Sequence, residues 1–159
     1  SRPGALEINQ VCLGADGALG DLLSLPAGGS RNPATEATLK EGRHYISMEG
    51  KEVFKHAVRR MEAASKASIA VAGIQEEQVG WLVPHQANER IIDAIAKRFN
   101  ISEAKVFKSL YKYGNTAASS LGIALDELLN TETVLPHEYL LLTAFGGGLS
   151  WGSVVLEQV

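Results

Sequence analysis

The chain has a single cysteine among its 159 residues, and that scarcity excludes an internal disulfide framework. The lone Cys12 fits a reducing compartment, so a cytoplasmic location is expected. Long apolar runs are missing too: none approaches the ~18 residues that a membrane-spanning helix needs. Neither charge sign dominates. With 15 Lys and Arg against 18 Asp and Glu, the formal net charge is -3. That balance gives no global bias toward nucleic acid or an anionic membrane. His44, His56 and His137 sit in no Cys, His or carboxylate spacing of a metal site, so no metal is expected. Glu49 with Glu52, and Asp126 with Glu127, read as capping or solvated helix acids and give no support to a glycosidase pair. No secretory leader is visible, because Ser1-Arg2-Pro3-Gly4 leads straight into strand-like sequence. An abrupt start without an initiator Met reads as the start of a piece of something longer.

What is present is an alternation of strand and helix signals. The length suits one domain, 1–159, with a normal-sized core. Residues 5–13 read as a strand through Leu6, Ile8 and Val11, followed by turn chemistry at Gly14-Ala15-Asp16-Gly17. Residues 18–46 carry Pro26, Gly28-Gly29 and Asn32-Pro33 and read mostly as loop, with a short strand near Leu22-Leu23. Val53, Ala57, Met61, Ala64 and Ala67-Ser68 recur at helical spacing, which predicts a helix over 49–72 ended by Gly73. Val79–Val83 is a short apolar run, a strand buried on both faces. Asn88 can cap the next helix, whose apolar face is Ile91-Ile92, Ile95-Ala96 and Phe99. Residues 106–110 read as a strand. A third helix over 117–130 would be capped by Thr116, and 139–144 and 153–156 read as two closing strands. No internal repeat or low-complexity tract is seen. The order predicts an α/β layered domain with a largely parallel sheet.

Three segments carry polar groups where an apolar strand runs into a turn. They are Val83-Pro84-His85-Gln86-Ala87-Asn88-Glu89-Arg90, Tyr113-Gly114-Asn115-Thr116-Ala117-Ala118-Ser119 and Ala144-Phe145-Gly146-Gly147-Gly148-Leu149-Ser150-Trp151-Gly152. A rigid scaffold can aim such groups into a cleft. Each also has an ordinary structural reading. His85 can be a half-buried ring satisfied by a backbone carbonyl, or a donor whose second nitrogen is fixed by a supporting bond. Asn115 beside Gly114 is a turn or cap residue on local grounds. Gly146-Gly147-Gly148 can be a tight strand–strand connection. It is not a phosphate loop, because neither the Gly-Lys-Ser/Thr continuation nor a following helix is there.

Taken together and in this order, the three segments resemble the C-terminal half of a β-ketoacyl-acyl carrier protein synthase III, a thiolase-fold condensing enzyme. Met48-Glu49-Gly50-Lys51-Glu52-Val53-Phe54-Lys55 is similar to the helix that opens that half, and the likeness covers essentially the whole chain. The resemblance implies a thiolase-like half-domain: a mixed, mostly parallel five-stranded sheet with helices packed on its faces. It implies decarboxylative Claisen condensation of an acyl-CoA primer with malonyl-acyl carrier protein, which starts fatty acid chains and needs no cofactor beyond these substrates. By the same likeness, His85 and Asn115 donate to the malonyl thioester oxygen. The Gly147 N–H supplies half of an oxyanion hole, and Phe145 stands beside the nucleophilic cysteine. Gly50, Phe54, Ala87, Asn88 and Ile91 line the pantetheine tunnel. Arg90, Lys97 and Arg98 form a docking patch for the acidic acyl carrier protein. On local grounds Asn88 is equally a plain N-cap, Phe145 a core residue, and the three basic residues a solvated face.

The family carries its nucleophilic cysteine in an N-terminal half that this chain lacks. The expected partners are therefore that half, acyl-CoA and acyl carrier protein, in a homodimer when complete, with no nucleic acid or membrane. Cys12 lies mid-strand before a Gly-rich turn, not among small residues at a helix N-terminus as the family's cysteine does, and reads as structural. Two alternatives stay open. One is a specialised-metabolism acyltransferase of the same fold. The other is a non-catalytic module that binds carrier protein.

Overall fold

Apolar residues at helical spacing build the longest element, α2 (Gly50–Ala72), which buries Val53, Ala57, Val58, Met61, Ala64 and Ile69. Gly73 ends it with φ 73°, a left-handed conformation that glycine adopts at no steric cost. The computed structural model describes residues 6–159. The expectations for residues 1–5 lie outside them.

Among the described residues six strands and five α-helices run in the order β1 (Leu6–Ala15), β2 (Leu23–Ser24), α1 (Glu36–Lys40), β3 (Ser47–Met48), α2, β4 (Val79–Pro84), α3 (Glu89–Arg98), α4 (Leu110–Tyr113), α5 (Ser119–Thr131), β5 (Tyr139–Gly146) and β6 (Ser150–Gln158). The main sheet runs β1-β6-β5-β4, and β2 pairs with β3 in a small second sheet.

The α/β class with helices on both faces is as expected. The sense of the sheet is not: among the described residues only the β4–β5 ladder is parallel, while β1–β6 and β5–β6 are antiparallel. The physical reason is the short turn between β5 and β6, which can only join antiparallel neighbours. The fifth strand is reduced to a single parallel bridge between Leu82 and Val106. The chain then turns into α4, so residues 106–110 are not a strand throughout.

Strand alternation distributes the core over both faces. Leu82, Leu141, Phe145 and Val155 pack with α2 and α3, where Ile92 and Ile95 are fully buried. Trp81, Val83, Leu140, Leu142 and Leu156 pack with Ala124 and Leu128 of α5. Met61 of α2 is 1% exposed, so truncating it to Ala costs ~2–5 kcal/mol in lost burial and cavity. The outcome is a rigid block in which the C-terminal ends of β4 and β5 and the start of α2 open on one cleft.

Candidate active site

The shoulder after β4 is fixed by three separate hydrogen-bond systems. The His85 N–H donates to the Thr143 carbonyl at 2.8 Å, extending the β4–β5 ladder one residue past the strand. Gln86 is 1% exposed. Its Nε2 donates to the carbonyls of Pro84 (2.7 Å) and Phe107 (3.2 Å), and its Oε1 accepts from the Ser109 and Leu110 N–H groups at 2.9 and 3.1 Å. One side chain thereby ties the His85 turn to the start of α4. The third system is Ser120, whose hydroxyl pairs with His85 Nδ1 and accepts from the Gln86 N–H at 3.2 Å. Burial of the ring lowers the His85 pKa from its ordinary 6.5, because the charged form loses its water. The ring is therefore neutral at pH 7.

Asn115 stands on the exposed loop between α4 and α5. Gly114 takes φ 68° and Ala117 φ 51°, so the loop turns sharply twice. The Asn115 Oδ1 accepts from the Ala117 N–H at 2.9 Å. That bond settles the orientation of the amide and leaves its two Nδ2 protons free to donate. Thr116 does not cap α5: the helix begins two residues later than expected, after the left-handed Ala117, with Ala118 at its N-cap and no side-chain cap bond.

The glycine loop at the β5–β6 turn is held from below. Asp16 and Leu149 exchange two backbone hydrogen bonds, Asp16 N–H to Leu149 carbonyl (2.8 Å) and Leu149 N–H to Asp16 carbonyl (3.1 Å). A Cβ on Gly147 would lie 3.5 Å from the Leu23 carbonyl, so β2 backs the loop closely. The Ser150 hydroxyl donates to the Gly147 carbonyl at 2.9 Å.

These parts meet around a cleft of about 1480 Å³. Ten of the twelve residues singled out from the sequence line it: His85, Asn115, Phe145, Gly147, Gly50, Phe54, Ala87, Asn88, Ile91 and Arg90. The Asn88 side chain also caps α3, its Oδ1 accepting from the Arg90 N–H at 2.9 Å, as its N-cap reading expects. The Arg90 guanidinium lies 5.4 Å from the Phe54 ring centroid. Lys97 and Arg98 are not in the cleft. Arg98 pairs with Glu62 of α2 at 3.4 Å, and Lys97 borders a small separate hollow with Asp93 and Lys108.

Gln86 and Ser120 were not singled out from sequence, and neither carries a signal by itself, since Gln and Ser are usually surface residues. Lys51 and Lys55 also reach the cleft rim. Their spacing of four on one helix was the signal that could have found them. Among the described residues no group of three or more His, Cys, Asp or Glu side chains is placed to hold a metal ion.

The chemistry available is that of neutral donors around an apolar channel. Two side-chain donors and a glycine loop suit a developing negative charge on oxygen.

The family model described as "3-Oxoacyl-[acyl-carrier-protein (ACP)] synthase III C terminal" matches residues 69–158. The beta-ketoacyl-[acyl-carrier-protein] synthase III of Chlamydia pneumoniae is 74% identical over 159 residues, which is 100% of this chain and 48% of that protein. Its counterpart from Chlamydia trachomatis serovar D is 69% identical, again over 100% of this chain and 49% of the relative. The crystal structure of 3-oxoacyl-[acyl-carrier-protein] synthase III from Aquifex aeolicus VF5 superposes with a TM-score of 0.81 at 39% identity, covering 99% of this chain and 46% of that one. The chain thus spans about half the length of the relatives it matches.

Proposed function

The chain belongs to the 3-oxoacyl-[acyl-carrier-protein] synthase III family, whose C-terminal part it matches, and on that premise we propose that it supplies the decarboxylation half of a condensing active site. The reaction is a decarboxylative Claisen condensation. An acyl group from acyl-CoA is first carried on a cysteine thiolate in the N-terminal half of the complete protein. Malonyl-acyl carrier protein then enters the cleft through its pantetheine arm, past Gly50, Phe54, Ala87, Asn88 and Ile91.

His85 and Asn115 donate to the malonyl thioester oxygen. As the carboxylate carbon leaves as carbon dioxide, its bonding pair becomes the enolate that both donors stabilise. The carbanion carbon attacks the acyl-cysteine carbonyl, whose oxyanion receives the Gly147 N–H. The thiolate leaves, and 3-ketoacyl-acyl carrier protein is released. Neutral donors fit this step, because a strong acid would quench the carbanion by protonating it. No cofactor is called for, since loss of carbon dioxide itself generates the nucleophile.

We infer a homodimer in the cytoplasm, with acyl carrier protein steered by Arg90 at the mouth of the cleft. Exposure of Arg90 beside the channel supports the docking role; Arg98, bound to Glu62, contributes less.

The observation that carries the reading is the convergence of His85, Asn115 and Gly147, from three distant segments, on one cleft. The test uses the complete protein. His85→Ala and Asn115→Ala should each slow malonyl decarboxylation roughly a hundredfold or more while acyl transfer to the cysteine persists. Because both serve one oxygen, the double variant should lose far less than the product of the two single losses. Fully multiplicative losses, or equal loss of acyl transfer, count against the shared enolate site.

A further inference from the structure

Behind the His85 ring, on the side away from the cleft, lies Ser120, 2% exposed and in the first turn of α5. We propose that Ser120 is a positioning residue whose hydroxyl holds His85 in the tautomer that carries its proton on Nε2. This rests on the donor role of His85 given above and identifies what enforces it.

The available protons and lone pairs fix the direction of this bond. A serine hydroxyl has one proton to donate and two lone pairs to accept with. The Gln86 N–H, at 3.2 Å, occupies a lone pair of Ser120 Oγ. The hydroxyl proton then needs an acceptor, because a buried donor left unpaired forfeits the hydrogen bond it made to water. Among the described residues the remaining partner of Ser120 Oγ is His85 Nδ1. The hydroxyl therefore donates to Nδ1, and Nδ1 carries no proton. A neutral imidazole with a bare Nδ1 must be protonated on Nε2. The setting favours the neutral ring in two ways. Burial disfavours the imidazolium, and so does the positive end of α5, whose first turn presents Ser120. The second link of the relay also has support: the Gln86 backbone that loads the hydroxyl is fixed by the four hydrogen bonds of its own side chain.

Without the Ser120 hydroxyl, nothing prevents the proton from moving to Nδ1. The ring would then face the substrate oxygen with a lone pair and repel it. The expected defect is in donor competence, with the cleft itself unchanged.

The experiment uses the complete protein with 15N-labelled histidine. Its ring nitrogens are read by long-range proton–nitrogen correlation, and a His85→Ala sample identifies the His85 signals among the histidines. The unmodified protein should show Nε2 protonated and Nδ1 bare at neutral pH. Ser120→Ala should mix the two patterns and slow malonyl decarboxylation about tenfold, with acyl transfer to the cysteine unchanged. Ser120→Thr, which keeps a hydroxyl, should restore both readouts. A proton on Nδ1 in the unmodified protein overturns the proposal without recourse to any variant. So does a Ser120→Ala protein that keeps the Nε2 pattern and full decarboxylation. If instead His85→Ala itself leaves decarboxylation intact, the assigned role of His85 fails while the tautomer measurement still stands on its own.

Discussion

His85 leaves a strand whose residues are almost all buried and is clamped by a ladder bond, a buried glutamine and a serine, whereas Asn115 lies on an exposed loop and is fixed by one bond to its own backbone. Both reach the same cleft. The first donor is positioned by tertiary structure, so it is as stable as the sheet. The second is positioned by local turn chemistry, so its order is that of a short loop. The difference teaches where rigidity is bought by the core and where it depends on what sits over the loop.

The sharpest separation comes from the chain on its own. Without the nucleophile of the N-terminal half, the 159-residue chain should show no condensation at all, and intact mass after incubation with acetyl-CoA should be unchanged. Rapid stoichiometric acylation of Cys12 would sink this expectation. In the same sample the His85 N–H, bonded to Thr143, should resist hydrogen exchange, and the Ala117 N–H should exchange quickly.

In the complete protein the two supports can be broken separately. Asn115→Asp keeps the acceptor that holds the Ala117 N–H but removes the donor and adds a negative charge beside the enolate. Decarboxylation should fall roughly a hundredfold or more with little change in melting temperature. Gln86→Ala should do the reverse in emphasis. It strips partners from the Ser109 and Leu110 N–H groups and the Phe107 carbonyl, for a stability loss of about 2–4 kcal/mol, read by chemical denaturation. If Asn115→Asp proves the more destabilising of the two, the Asn115 loop and not the Gln86 clamp carries the stability.

The pH profile gives a gentler test. The His85 pKa is lowered by burial, so the folded protein binds its proton only below the ordinary 6.5. The unfolded chain takes up that proton first as pH falls. The group therefore costs stability progressively as pH drops through 6.5, and adds nothing to the pH dependence well above it. Decarboxylation should fall on acidification with its midpoint below 6.5. A midpoint above 6.5 would contradict the burial of the ring.

The smallest effect is expected at the rim. Arg90→Glu should raise KM for malonyl-acyl carrier protein several-fold and leave use of acyl-CoA nearly unchanged, with the loss shrinking as salt rises. A salt-independent fall in kcat would place Arg90 in the fold instead.

Much of this architecture was legible in the sequence. The spacing of Val53, Ala57 and Met61 gave α2, Gly73 its end, and Asn88 the cap of α3. The run Val79–Val83 predicted a strand buried on both faces, and it is. Pairing sense was less legible, because whether a strand is parallel is decided by its neighbour and not by its own residues. The β5–β6 turn was the one local clue to an antiparallel pair. Val106 shows the limit of a short apolar run: its bridge to Leu82 is real and the Phe107 N–H still bonds to the Leu82 carbonyl, but Gln86 then captures the Ser109 and Leu110 amides at the start of α4. In the site, ten of twelve chosen residues share the cleft, yet the two buried polar residues behind it stayed silent. A glutamine or serine turned inward looks no different in sequence from one turned out.

The reciprocal bonds between Asp16 and Leu149 join the end of the outermost strand to the tip of the glycine loop. The two therefore travel as a single mechanical body. A displacement of that strand end is thereby passed to the loop that carries the Gly147 N–H, so the aim of a backbone proton inside the cleft depends on an edge strand outside it.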